Sequence, residues 1–262
     1  MTNREIRYEM MKYCANNLGC DADDFLSDKN KVYSHNDKET ETEFFRMICF
    51  GNAAVVKAHE KIYDWCKNFV SKYIGFRCFD GVQMSIICRE LAKYDYTVSC
   101  GQSAIPDMNF NRKNENGLYN LRIIKKDEIK KFYADDIYGS FYPDDKEWHM
   151  MNYEEATEYI VANYDNGKVT GFAAADKCTE KIYEIGYETL PEYRQKGIAT
   201  AVTVELTNLL FSKDIIPHMG FAWSNIASKN VAVKSGYIMA WSDMGVCDRN
   251  NWAEKIYRGE VE

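Results

Sequence analysis

Apolar side chains recur at helical spacing near the start of the chain, at Ile6, Met10, Tyr13 and Cys14, and predict a helix over Glu5–Asn17 that Gly19 ends. The stretch Asp21–Glu43 is polar and acidic and reads as loop with fragments of helix. Phe44–Phe50 and Ala53–Ala58 are short apolar runs joined at Gly51-Asn52, the pattern of a hairpin. Two amphipathic helices are expected over His59–Tyr73 and Val82–Lys93. In the first, Ile62, Trp65, Cys66, Phe69 and Val70 form one apolar stripe, which is a core face. Ser99–Asn116 is rich in Ser, Asn, Gly and Pro, and the domain boundary is placed there.

Beyond Leu118 the period changes often. Tyr119–Ile124 reads as a strand and Lys126–Phe132 as a short helix. Tyr133–Trp148 then mixes aromatics with Asp135, Asp136, Asp144, Asp145 and Glu147. Glu158–Tyr164 and Lys168–Ala175 alternate on either side of Asp165-Asn166-Gly167, a strong hairpin signal. A strand over Lys181–Thr189, a helix over Ile198–Phe211, a strand over His218–Trp223, a helix over Ala227–Lys234 and a strand over Tyr237–Met244 follow. The order β-α-β-β-β-α-β-α-β predicts a mixed sheet with helices packed on it. Residues 1–115 are expected to form a smaller α+β domain and residues 118–262 a second domain.

The 262 residues are 46% hydrophobic and 14% aromatic, which fits a packed globular protein and excludes disorder. No apolar run approaches the ~20 residues that span a bilayer, and the charged N-terminus does not read as a signal peptide, so no membrane partner and a cytoplasmic location are expected. The nine cysteines are scattered and the four histidines isolated, so no metal site and no disulfide framework are read from their spacing. The net charge of -7 is uneven: residues 1–117 hold 16 Lys and Arg against 17 Asp and Glu, residues 118–262 hold 17 against 23. With no basic stripe, nucleic acid is excluded as a partner, whereas the surplus of carboxylates favours approach of a cationic amine.

One stretch carries chemistry, Thr189–Val202, TLPEYRQKGIATAV. A strand runs through a proline into a basic loop and then a helix. The first amides of a helix lack intrahelical partners and sit at the positive end of its dipole, so an anion finds donors and charge there. Arg194 and Lys196 add cations, while Gly197, Ala199 and Thr200 keep the helix start small. This reads as a seat for pyrophosphate. It is neither a P-loop nor a dinucleotide fingerprint, since both glycine spacings are absent.

Arg194-Gln195-Lys196-Gly197-Ile198-Ala199 resembles the R/Q-x-x-G-x-G/A signature of the GNAT superfamily, the acetyl-CoA-dependent N-acyltransferases. Asn225-Ile226-Ala227-Ser228, followed by Val231–Tyr237, resembles that family's second motif and its ending. The resemblance implies a GNAT fold with a central, mostly antiparallel mixed sheet flanked by helices, and acetyl-CoA as acyl donor. It implies that Arg194, Gln195, Lys196, Gly197, Ile198, Ala199 and Thr200 hold the pyrophosphate, and that Asn225 and Ser228 either hold the pantetheine or cap a helix. It also implies that a backbone N–H near Thr189 and Leu190 polarises the thioester carbonyl, and that the Tyr133–Trp148 region lines the acceptor side of the cleft.

Acyl transfer to an amine also needs a base. Glu184, Gly186 and Glu188 share one face of their strand, and a glutamate on a central strand is costly unless it is paired or faces a cleft. Glu184 is therefore taken as the base and Glu188 as its second. The tyrosine that many family members use as general acid aligns with Ala232, a departure from the pattern that leaves Ser228 or water to protonate the thiolate. The run EIGYETLPEYRQKGIATAV is similar to the subgroup that includes zwittermicin A self-resistance acetyltransferases, which implies antibiotic resistance through acetylation of an aminopolyol or related amine. The acceptor is thus expected to be a small-molecule amine. A non-catalytic acyl-CoA-binding or regulatory module, a protein or peptide N-acetyltransferase, and assembly as a homodimer are left open.

Overall fold

The structure is a computed structural model that describes residues 1–35, 44–112, 118–137, 140–141 and 155–248. In chain order it contains α1 (Asn3–Leu18), β1 (Lys31–His35), β2 (Phe45–Cys49), β3 (Ala54–His59), α2 (Glu60–Val70), α3 (Gly81–Leu91) and β4 (Tyr96–Pro106). After these come β5 (Leu121–Ile124), α4 (Lys126–Phe132), β6 (Thr157–Asp165), β7 (Lys168–Lys177), β8 (Ile182–Thr189), α5 (Ile198–Phe211), β9 (Ile216–Ala222), α6 (Ile226–Lys234) and β10 (Tyr237–Asp248). The architecture is α+β, with mixed sheets flanked by helices, as the sequence pattern predicts.

The chain divides into two compact units, Thr2–Ser103 with Ala240–Glu262, and Ala104–Met239. The division falls inside β4 and inside β10, not at residues 115–118. The first part of Ser99–Asn116, where the boundary is expected, is strand up to Pro106. Ser103, Ala104, Ile105 and Pro106 are buried, and burial decides this stretch over its weak β-propensity.

In the N-terminal unit, α1 starts on a reciprocal capping box between Thr2 and Glu5 and stops at Gly19, whose φ of 69° is left-handed. Its strands take the order β1-β3-β2-β10-β4, with β1 parallel to β3 and β2 antiparallel to both β3 and β10. β1 lies in the stretch expected to be loop. Its five residues gain their partners from β3, a pairing that local pattern does not encode.

In the second unit the strands take the order β9-β8-β7-β6-β5. The β6–β7 turn is built as its residues require: Asn166 and Gly167 have φ of 49° and 82°, the left-handed pair of a tight hairpin. Two cores lie on opposite faces of this sheet. On one, Ile198, Val202, Leu206 and Leu210 of α5 pack against Ala173, Ala175, Tyr183 and Ile185. On the other, Ile129 and Phe132 of α4 pack with Ile137, Ile160, Phe172 and Ala174. Each strand therefore alternates between the α5 face and the α4 face.

Candidate active site

β8 pairs antiparallel with β7 along its whole length, from Tyr183↔Lys177 to Thr189↔Gly171. Its parallel pairing with β9 is shorter. It covers Ile182↔Ile216, Tyr183↔Pro217 and Glu184↔His218, and among the described residues it ends there. Past that point Ile185–Thr189 and Met219–Ala222 are not paired with each other, which leaves that edge of β8 without ladder partners from β9. Leu190 N–H donates to Thr170 O at 3.0 Å, so that amide is spent inside the sheet. Amides alternate between the two edges of a strand, so Thr189 N–H points to the open edge. Of the two positions expected to polarise a carbonyl, Leu190 has its N–H committed to β7.

At the end of β8 a 3-10 turn over Pro191–Tyr193 leads into the basic loop. Gln195 and Gly197 both have positive φ, 62° and 77°. Helix α5 then begins at Ile198 with no side-chain cap and no acidic residue in its first turn. A helix start left open in this way is a seat for an anion. Arg194, Gln195 and Lys196 are exposed beside it, Ile198 is buried as its anchor, and Ala199 and Thr200 are half-buried. Arg194 Nε folds back to Thr189 O at 3.2 Å, and Lys196 Nζ lies 4.8 Å from the centre of the Tyr193 ring. Tyr119, which no motif marks, donates its hydroxyl to Lys196 O at 3.2 Å and holds the loop from the side.

The second motif is partly structural. Asn225 caps α6, its Oδ1 accepting from Ser228 N at 3.0 Å. Ser228 O in turn accepts from Tyr187 Oη at 2.7 Å, and burial pushes the Tyr187 phenol up to about 12. Ala232 is fully buried in the α5 core, so the position of the expected acid holds only a methyl group. Tyr237 is buried as well, with its hydroxyl 2.7 Å from Thr207 Oγ1, which makes it a packing residue.

On the α4 face, Glu184, Gly186 and Glu188 are exposed in a row, as strand alternation predicts. Partial desolvation raises the Glu188 carboxyl, and Arg194 and the Thr189 N–H draw it back. The side chain nevertheless keeps solvent access. Across the strands, Thr157, Asp176, Glu184 and His218 stand in register on four neighbours. Thr157 Oγ1 donates to Asp176 Oδ1 at 2.6 Å. Burial, with Glu184 adding to it, moves the Asp176 carboxyl up to about 6. His218 is 4% exposed, and burial moves its imidazole down to about 4, so it is neutral at pH 7.

Asp176 and His218 were not singled out from the sequence, since each is isolated along the chain; only strand register brings them to Glu184. The acidic and aromatic stretch Tyr133–Trp148 lies for the most part outside the described residues. Of it, Tyr133 and Ile137 are buried in the α4 core.

Residues 125–237 match the model of the Acetyltransferase (GNAT) family. Those residues form a GNAT acetyltransferase domain. Its donor is acetyl-CoA, and its chemistry is acyl transfer from the thioester. Solved structures similar to this chain include an acetyltransferase of the GNAT family from Colwellia psychrerythraea, at 11% identity over 66% of this chain and 75% of that one, with a TM-score of 0.47. A GCN5-related N-acetyltransferase from Kribbella flavida matches at 14% identity over 63% and 64%, with a TM-score of 0.45. A GCN5-related N-acetyltransferase-like protein from Streptococcus suis matches at 16% over 64% and 69%, with a TM-score of 0.43. No curated protein matches the chain. No helix among the described residues is long and apolar enough to cross a membrane.

Proposed function

We propose that this GNAT enzyme acetylates a primary amine of a small molecule by direct attack, with Glu184 as the base. The observation that carries the reading is the place where β8 and β9 part. Their pairing ends immediately past Glu184, a residue on the sheet face that also bears Asp176 and Glu188. The pyrophosphate of acetyl-CoA is read onto the open start of α5, with Gly197, Ile198, Ala199 and Thr200 supplying backbone and Arg194, Gln195 and Lys196 flanking it. Thr189 N–H, on the open edge, is the donor aimed at the thioester oxygen. The amine nitrogen attacks the carbonyl carbon while Glu184 takes its proton, directly or through one water, with Glu188 the second candidate for that role. The C–S bond then breaks, and the thiolate is protonated by Ser228 or by water.

Three carboxylates on the acceptor face favour a cationic amine, of which aminopolyols are one class. The nine free cysteines suit work in a reducing cytoplasm. A second reading, a non-catalytic acyl-CoA-binding module, has one observation in its favour: the buried methyl of Ala232 where the resembled enzymes place their acid.

The test is thiol release from acetyl-CoA with aminopolyols, aminoglycosides, polyamines and peptides, beside direct acetyl-CoA binding. Acceptor-dependent turnover is expected, and Glu184→Gln should lower kcat by about 10²–10⁴-fold while acetyl-CoA still binds. Binding without turnover on any acceptor would favour the module. Absence of binding would defeat the reading of the α5 start.

A further inference from the structure

Three side chains with metal-binding atoms converge beneath the acceptor face. They come from the β7–β8 turn (Cys178), from β8 (Glu184) and from β9 (His218). Cys178 Sγ lies 3.7 Å from His218 Nε2, and the thiol, a carboxylate oxygen of Glu184 and a ring nitrogen of His218 all lie within 4.8 Å of one another. We propose that Cys178, Glu184 and His218 form a zinc-binding site.

The donor set is the first argument. A thiolate, an imidazole and a carboxylate together match zinc, whereas calcium and magnesium take oxygen donors almost alone. Three protein ligands leave a fourth position open, as in zinc sites that exchange a water or a ligand. Size is the second argument. Zinc bonds of about 2.0–2.3 Å at tetrahedral angles separate ligand atoms by about 3.3–3.8 Å, so sulfur and nitrogen already stand at that separation and the carboxylate reaches it by rotating its side chain.

The backbone behind each ligand is fixed. Cys178 N–H donates to Ile182 O at 3.0 Å, and Thr179 Oγ1 accepts from Ile182 N at 3.0 Å, which pins the turn. Glu184 and His218 are register partners. Asp176 stands beside Glu184, adds negative charge, and is itself held by Thr157. Cys178 is half-buried and Glu184 exposed, so an ion can enter from solvent.

The site does not depend on which residue is the base. One consequence does rest on the reading above: zinc on Glu184 withdraws the carboxylate that would take the amine's proton, so bound zinc inhibits the transferase reversibly.

The test uses the full chain and the metal alone. Cobalt(II) is titrated while the thiolate-to-cobalt absorption band is followed, and zinc is then used to displace it. One equivalent with a thiolate band is expected. Cys178→Ser should abolish the band and weaken zinc by at least about tenfold. Glu184→Gln should weaken zinc while keeping the band, and Cys100→Ser should change neither. Both ligand variants alter accessible side chains, so they report on folded protein. An unchanged band in Cys178→Ser, or no stoichiometric binding by the wild type, overturns the site. Turnover that is indifferent to Glu184→Gln, with binding as expected, defeats the base and leaves the zinc site standing.

Discussion

Gly197 is where one residue decides the geometry of the donor loop. Its φ of 77° is left-handed, and a Cβ built there would stand 2.5 Å from Tyr119 Oη. Gly197→Ala therefore combines about 1–2 kcal/mol of backbone strain with a clash. Denaturant unfolding should show a loss of that order or somewhat more, and acetyl-CoA affinity should fall with it. Tyr119→Phe in the same chain should recover only the part due to the hydroxyl. The motif made Gly197 legible, with close approach to the ligand as the expected reason. The structure adds two others, the positive φ and Tyr119, which is 78 residues away in sequence and carries no motif.

Glu188 gives the pH signature. Its carboxyl is raised, by desolvation first, so between the ordinary carboxylate pKa of about 4.3 and the raised folded value the native state binds more protons than the unfolded chain. Stability therefore falls as pH rises through that window and stays lower above it. Glu188→Gln should melt higher than the wild type at pH 7, and the gap should close as pH is lowered toward about 4. The side chain is exposed, so the effect is small. A gap that widens on acidification would reverse the sign of the argument.

At the scale of elements, α5 is seated on the sheet by a glycine that no motif contains. A Cβ at Gly171 on β7 would meet Ile198 Cγ2 at 2.7 Å, Thr189 Oγ1 at 3.0 Å and Glu188 O at 3.1 Å. Those three residues stand at the end of β8 and the start of α5, so Gly171→Ala pushes on the anion seat itself. A loss of about 1–3 kcal/mol is expected from overpacking, with weaker acetyl-CoA binding. Unfolding curves and a binding isotherm measured on one preparation check both. Local pattern made α5 legible, and its bounds match the expected Ile198–Phe211, because a long apolar helix needs little help from its neighbours. Asn166-Gly167 was legible for a similar reason, since the turn type dictates its residues. The local pattern does not mark β1, in a polar stretch, or β4, at the expected domain boundary, because both owe their strand character to partners distant in sequence. Strand register likewise assembles Asp176, Glu184 and His218, and alternation within β8 exposes Glu184 but cannot reveal its neighbours.

For the molecule as a whole, the chain's last described strand belongs mostly to the unit formed by its beginning. Ser242, Asp243 and Met244 of β10 pair with Cys49, Ile48 and Met47 of β2, and the Trp241 ring stacks on Phe50 at 5.2 Å. A sequence-based division at 115–118 assigns these residues to the acetyltransferase half, since nothing local to β10 names its partner. Trp241 is 6% exposed, and removal of a buried aromatic ring costs about 3–5 kcal/mol. Trp241→Ala should therefore loosen the N-terminal unit in the strands next to β10. Hydrogen exchange should rise across β2 and β3, and the unfolding midpoint of that unit should fall. Unchanged protection in β2 would mean that Trp241 fills no essential place there. If protection falls as expected, a chain truncated after Met239 should show the same loss in β2 and β3, because it lacks the pairing residues as well as the ring.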